Sequence, residues 1–112
     1  MRYHNANIFV DDHFVHGSFA VENGIFTEVS EDPGGAGEDL GDACVIPGLI
    51  DIHSHGNSGA DFSDGDDEGL RRMARYLAQN GVTSFAPASM TLPYDVLARA
   101  FSSAARLKAA AP

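Results

Sequence analysis

The most constraining feature of the sequence is an apolar run that ends in two histidines. Residues 45–52 read Val-Ile-Pro-Gly-Leu-Ile-Asp-Ile, and His53, Ser54 and His55 follow directly. Alternate side chains of a β-strand share a face, so Asp51, His53 and His55 are expected on one side. Two neutral imidazoles on one face suit zinc, iron or nickel, and Asp51 is placed to orient a histidine. The run therefore predicts a buried parallel strand that presents two metal ligands at its tip.

The residues after this strand favour a functional site over a chance pair of histidines. Taken alone, a His-x-His pair is more often two unrelated surface or core residues. Here a glycine-rich loop spans residues 56–61 and a helix follows it, which is a β/α unit. Barrel enzymes keep their chemistry at the carboxyl ends of such strands. His53 and His55 are the candidate metal ligands, and Asn57 and Asp61 of the loop are the candidate substrate-binding residues.

The same stretch resembles a known family of enzymes. Residues 47–56 resemble the first barrel strand of the amidohydrolase superfamily of metal-dependent hydrolases. Residues 56–62 and 80–91 are similar to the N-acetylglucosamine-6-phosphate deacetylases. Dihydroorotases and hydantoinases typically carry an arginine two residues after the second histidine, where this chain has Asn57. The sequence therefore resembles the deacetylases more than those cyclic-amide hydrolases.

The resemblance implies an α/β fold with two parts. Residues 1–46 would form a small N-terminal β-sheet that is part of a β-sandwich, and residues 47–112 the first two β/α units of a (β/α)8 barrel. A whole barrel needs about 250 residues, so a chain of 112 residues is expected to be the N-terminal part of a longer enzyme.

The function implied by the resemblance is removal of acetate from N-acetylglucosamine 6-phosphate, an amino-sugar phosphate, to give glucosamine 6-phosphate. A divalent ion, zinc or iron, would activate the attacking water. The catalytic residues are expected beyond Pro112, so this part is predicted to be inactive alone, while the full-length enzyme is expected to be a homodimer. Two alternatives remain: another amidohydrolase-superfamily hydrolase or deaminase, and a non-catalytic βαβ binding module.

Composition limits the partners of the chain. Seven basic and 16 acidic residues give a net charge of −9, which opposes binding to a phosphate backbone and argues against nucleic acid. The single cysteine, Cys44, excludes an intrachain disulfide. The sequence shows neither the apolar stretch of a signal peptide nor a membrane span. We therefore expect a cytoplasmic protein without a membrane partner.

Periodicity and turn signals predict the order of the elements. Short strands are expected over residues 2–29, with Asn23-Gly24 as a hairpin turn. Residues 30–42 are rich in glycine and acids and predict a loop. Helices are expected over residues 66–80 and 93–110, with a strand over residues 82–86 between them. This β-α-β-α order implies parallel strands.

Overall fold

The structure is a computed structural model that describes residues 1–110. The chain divides into two compact units, Met1–Pro47 and Gly48–Pro112. The boundary predicted from sequence lies one residue earlier. The assignment of the two units to a sandwich and a barrel stays a prediction.

The first unit is a mixed four-stranded sheet. Its strands are β1 (Arg2–Val10), β2 (His13–Glu22), β3 (Ile25–Ser30) and β4 (Glu38–Val45). Their order across the sheet is β3-β2-β1-β4. Strands β1, β2 and β3 form an antiparallel meander, and β4 pairs in parallel with β1. The predicted run of short strands over residues 2–29 is confirmed.

Two-residue turns build the meander. Asp11 and Asp12 connect β1 to β2 with φ of 48° and 64°, and Asn23 and Gly24 connect β2 to β3 with φ of 51° and 76°. Positive φ at both central positions is the signature of the type I′ turn, whose twist matches that of paired strands. The predicted Asn23-Gly24 hairpin is confirmed.

The loop predicted over residues 30–42 is wrong in its second half, because β4 begins at Glu38. Glycine-rich, acidic composition disfavours a strand locally, but β1 offers a row of backbone groups for β4 to pair with. Gly37 allows β4 to approach β1. It has φ of 130° and lies so close to the Arg2 carbonyl that a Cβ would collide with it. Pairing with a distant strand therefore overrides local composition.

The core of the first unit is small and aromatic. Ala6, Ile8 and Phe19 are buried at its centre. The Phe19 ring stacks on Tyr3 at 5.0 Å between centroids and meets Phe26 edge to face at 5.2 Å. These contacts bury one face of the sheet, and such aromatic pairs add about 0.5–1.5 kcal/mol each beyond area burial.

The second unit contains a β-α-β-α sequence. Strand β5 (Leu49–Ser54) leads to a short hairpin of β6 (Gly56–Asn57) and β7 (Ala60–Asp61), then to a single-turn 3-10 helix (Phe62–Asp64). Helix α1 (Asp67–Gln79), strand β8 (Val82–Pro87) and helix α2 (Tyr94–Ala110) follow. Strands β5 and β8 pair in parallel. Both predicted helices and the strand between them are confirmed.

Helix α1 is fixed at its start by Asp66, whose carboxylate accepts hydrogen bonds from the backbone of Glu68 and Gly69. This is the cap that an aspartate provides to otherwise unpaired N–H groups. The helix packs on α2 and the 3-10 helix, and the shared core consists of Phe62, Leu70, Met73 and Ala100.

The prediction that β5 is buried is wrong for its apolar side chains. Leu49, Ile50 and Ile52 expose 51%, 69% and 81% of their surface. In this part of the chain β5 has a single neighbour in its sheet, β8. Buried parallel strands are covered on both faces, so these side chains become buried only where further protein covers the strand.

Candidate functional site

The two histidines lie together at the end of β5. His53 is the next-to-last residue of β5, and His55 directly follows the final residue, Ser54. The Nε2 atoms of His53 and His55 are 3.2 Å apart, and the rings meet edge to face with centroids 4.9 Å apart. His53 is exposed and His55 is partly buried. The strand thus brings both imidazoles to one point at its carboxyl end.

This separation matches the geometry of shared metal ligation. Two nitrogens bound to one tetrahedral zinc ion at the usual bond length lie about 3.3–3.4 Å apart. The pair therefore needs little movement to bind one ion. Within residues 1–110 no cluster of three or more His, Cys, Asp or Glu side chains is arranged to hold a metal. The two histidines by themselves provide half of a four-coordinate shell.

A backbone carbonyl favours one tautomer of the neutral His55 ring. Its Nδ1 atom lies 2.8 Å from the carbonyl oxygen of Ala88, in the loop after β8. A carbonyl only accepts, so Nδ1 carries the proton and the neutral ring keeps its lone pair on Nε2. The Nε2 atom that carries this lone pair lies 3.2 Å from Nε2 of His53, and its lone pair is available to a metal ion.

Asp51 contacts the strand backbone rather than an imidazole ring. Its Oδ1 atom accepts a hydrogen bond of 3.0 Å from the backbone N–H of His53. The orientation of a histidine ring by Asp51 therefore stays a prediction.

Asn57 is the last residue of β6, just before the turn of the β6–β7 hairpin and two residues after His55. Its amide is enclosed, and neither Nδ2 nor Oδ1 makes a hydrogen bond to any described residue. An enclosed amide without partners costs about 1–3 kcal/mol. Substrate contact by Asn57 therefore requires this amide to be uncovered first.

Asp61 has a defined structural role next to the histidines. Its carboxylate accepts a hydrogen bond of 2.7 Å from the backbone of Ser63, while its own N–H donates to Asp64 at 3.0 Å. These reciprocal bonds form a capping box at the start of the 3-10 helix. Binding of substrate by Asp61 stays a prediction.

Two residues near the histidines escaped the sequence analysis. Ala88 acts through its carbonyl, and Ser63 accepts a hydrogen bond of 3.1 Å from the backbone N–H of Met90. A backbone acceptor leaves no signature in the sequence, and a single serine hydroxyl can serve many structural roles. The sequence offers no signal that would have identified either.

Known proteins with similar sequences are deacetylases of amino-sugar phosphates. The chain is 36% identical over 90 residues to an N-acetylglucosamine-6-phosphate deacetylase of Vibrio furnissii, covering 78% of this chain and 23% of that protein. It is 38% identical over 69 residues to the enzyme of that name from Bacillus subtilis, covering 62% of this chain and 17% of that protein. The chain thus spans under a quarter of the length of these relatives. No protein-family model matches it.

Solved structures show the same fold over nearly the whole chain. The N-acetyl-D-glucosamine-6-phosphate deacetylase of Mycobacterium smegmatis superposes with a TM-score of 0.85 and 25% identity, covering 98% of this chain and 32% of that one. The enzyme from Thermotoga maritima gives a TM-score of 0.75 at 22% identity, which supports the fold alone. The α/β fold is thereby confirmed. In sequence and in fold, the chain is a relative of the N-terminal portion of the N-acetylglucosamine-6-phosphate deacetylases.

Proposed function

We propose that this chain is the part of a metal-dependent amide hydrolase that supplies His53 and His55 to the metal. The reaction is removal of acetate from an N-acetylated amino-sugar 6-phosphate. The observation that carries the proposal is the 3.2 Å separation of the two Nε2 atoms at the end of β5. The names of the relatives support the substrate class.

The architecture we propose for the longer protein follows from the two units. The second unit has the β-α-β-α order and parallel pairing of a barrel's first two β/α units. The exposed Ile50 and Ile52 would then be covered by later parts of the barrel. The first unit, with its single buried face, would be one part of a β-sandwich.

The chain's own residues prepare the site in two ways. Ala88 holds the proton of His55 on Nδ1, so the Nε2 lone pair is ready without loss of a proton. His53 can place its proton on either nitrogen, and moving it to Nδ1 frees its Nε2 as the second ligand. When bound, a divalent ion supplies Lewis acidity for activating water and polarising the acetamide carbonyl. Asn57 and Asp61 remain the residues we propose for substrate contact.

N-acetylgalactosamine 6-phosphate is the second candidate substrate, because one relative is named for it. The chain is 34% identical over 53 residues to an N-acetylgalactosamine-6-phosphate deacetylase of Escherichia coli. The two sugars differ only in the configuration of one hydroxyl. We favour the glucosamine derivative because the higher identities belong to proteins named for it.

Metal binding by the chain itself tests the observation that carries the proposal. Zn²⁺ or Co²⁺ is titrated into the 112-residue chain at neutral pH and followed by calorimetry, with the His53→Ala/His55→Ala double variant alongside. We expect weak 1:1 binding, because two imidazoles fill half of the shell, and loss of it in the variant. His4→Ala/His13→Ala is the matched control, since it removes two histidines of the first unit. Equal binding by all three proteins would refute the assignment.

Activity is tested in a chimera that keeps the rest of a relative. The chain replaces the matching N-terminal portion of the Vibrio furnissii protein, and acetate release is measured from both N-acetylated sugar phosphates. We expect activity in the chimera, and loss of metal with a lower kcat in its His53→Ala/His55→Ala form. Unchanged metal content and unchanged kcat in that form would show that the histidines are structural.

A further inference from the structure

We infer that Ser63 is a positioning residue for His55, acting through the loop of residues 88–90 to hold the ring in its metal-binding tautomer. The role of this positioning in metal binding rests on the proposed function. The hydrogen bonds that hold His55 are present in the chain itself. Ser63 lies in the 3-10 helix, outside the pair of proposed ligands.

The first step is the hold on the imidazole. Nδ1–H of His55 donates to the carbonyl of Ala88 at 2.8 Å. The N–H of Ala88 in turn donates to the carbonyl of Ser54 at 2.8 Å. One residue of the loop therefore clamps the end of β5 twice, once through the main chain and once through the ring.

The second step is the hold on the loop. The backbone N–H of Met90 donates to the Ser63 hydroxyl oxygen at 3.1 Å. Met90 is two residues from Ala88, so this bond restrains the direction of the Ala88 carbonyl. Without it, the restraint on Ala88 would come from the β8 side, where Pro87 pairs with Ser54 and the Ala88 N–H donates to the Ser54 carbonyl.

The third step is the link from the 3-10 helix back to His55. The N–H of Phe62 donates to the His55 carbonyl at 2.7 Å, and the Phe62 side chain is 2% exposed in the core. Ser63 follows Phe62 directly, and its N–H is capped by Asp61. His55 is thus tied by its carbonyl to the 3-10 helix and by its ring to the loop. The Ser63–Met90 bond joins these two supports.

The consequence is preorganisation of one ligand. The hydrogen bond made by one ring nitrogen of a histidine decides which nitrogen is free to bind a metal. Partners of this kind, beyond the ligands themselves, typically change metal affinity 10–100-fold when removed. Ser63 acts one step further away, so we expect an effect at the lower end, about tenfold.

The tautomer is read directly by long-range ¹H–¹⁵N NMR of the imidazoles in the metal-free 112-residue chain. The measurement is made at about pH 8.5, where an ordinary imidazole is neutral. We expect His55 to carry its proton on Nδ1, to shift toward a mixture of tautomers in Ser63→Ala, and to recover in Ser63→Thr. Ser102→Ala is the matched control, because that hydroxyl donates to the Ala98 carbonyl within α2, away from the loop of residues 88–90. His55 protonated on Nε2 in the parent chain, or unchanged in Ser63→Ala, would overturn the inference.

Zn²⁺ affinity separates this inference from the proposed function. We expect Ser63→Ala to bind about tenfold more weakly than the parent chain, with Ser63→Thr and Ser102→Ala close to the parent. A fixed tautomer that responds to Ser63→Ala in a chain that binds no Zn²⁺ would refute the metal function and support the positioning role. Zn²⁺ binding that is lost in His53→Ala/His55→Ala but unaffected by Ser63→Ala would support the metal function and refute the positioning role.

Discussion

Arg106 of α2 donates hydrogen bonds to both carboxylate oxygens of Asp67, in the first turn of α1. The Nε–Oδ2 and Nη2–Oδ1 distances are 2.9 and 2.6 Å. The buried Ser103 hydroxyl donates to the same Oδ1 at 2.6 Å. The guanidinium first, and then the hydroxyl, hold the pKa of Asp67 well below its ordinary value of 3.8. One carboxylate thereby ties the start of α1 to the end of α2.

Asp67→Asn is expected to lower the stability of the second unit at neutral pH. A carboxyl whose pKa is lowered by folding stabilises the fold above its ordinary pKa, and this contribution is lost as the pH falls toward the folded-state pKa. The difference between parent and variant should therefore shrink progressively as the pH falls below about 4. Urea denaturation at several pH values measures it.

Glu68→Gln is the control for Asp67→Asn. Glu68 forms a solvent-exposed pair with Arg71 three residues later, and such pairs contribute about 0–1 kcal/mol. We expect a smaller loss than for Asp67→Asn. A loss for Asp67→Asn that is equal at neutral and acid pH would contradict the role of its charge.

Self-association of the isolated chain is expected to depend on β5. An exposed apolar strand with one free edge is a site for pairing with another chain, and Ile50 and Ile52 are the most exposed apolar side chains of β5. Ile50→Thr/Ile52→Thr should reduce the oligomer fraction in sedimentation velocity. Ile25→Thr, which changes an exposed isoleucine in the first unit, should leave it unchanged. A parent chain that is monomeric at high concentration would refute this prediction.

Asn57→Ala should leave the stability of the isolated chain unchanged or raise it. The variant removes an enclosed amide that has no hydrogen-bond partner among residues 1–110, and such a group costs about 1–3 kcal/mol. Thermal unfolding followed by circular dichroism measures the change. Asn80→Ala is the comparison, because the Asn80 amide donates to the Tyr76 carbonyl and its removal should destabilise α1. A clear loss of stability for Asn57→Ala would show that its amide is paired.

Gly17→Ala and Gly24→Ala should differ in their effect on the first unit. A Cβ at Gly17 would collide with the Ser30 carbonyl, whereas Gly24 has open space but φ of 76°. Overpacking typically costs about 1–3 kcal/mol, and a left-handed residue other than glycine about 1–2 kcal/mol. We expect Gly17→Ala also to weaken the pairing of β2 with β3, seen as faster amide exchange in β3. Equal exchange in both variants would contradict the steric role of Gly17.

Local signals predicted much of this fold. The Asn23-Gly24 turn and the apolar spacing of α1 each depend on neighbouring residues, and each is present in the structure. The sequence did not predict β4 because its partner, β1, is distant along the chain. Glu38 of β4 pairs with Tyr3 of β1, 35 residues earlier. Composition alone carries no information about such a distant partner.

The candidate site, too, was predictable only where it depends on residues close together in the sequence. Alternation along β5 predicted that His53 and His55 share a face, and their Nε2 atoms lie 3.2 Å apart. The sequence gives no sign of the Ala88 carbonyl on His55, because that contact depends on where β8 ends relative to β5. It also indicated a glycine-rich loop over residues 56–61, where the structure has the β6–β7 hairpin, followed by a capped 3-10 helix.

The parallel pairing of β4 with β1 has a consequence for the order of folding. Two-residue turns allow β1, β2 and β3 to pair as soon as residue 30 has left the ribosome, since closing short loops costs little entropy. The outer edge of β1 acquires its partner only after residues 38–45 follow, and such non-local pairing is slow. We therefore expect the three-stranded meander to form first, with Leu40 and Val45 packing against the core of Ala6, Ile8 and Phe19 once β4 has paired.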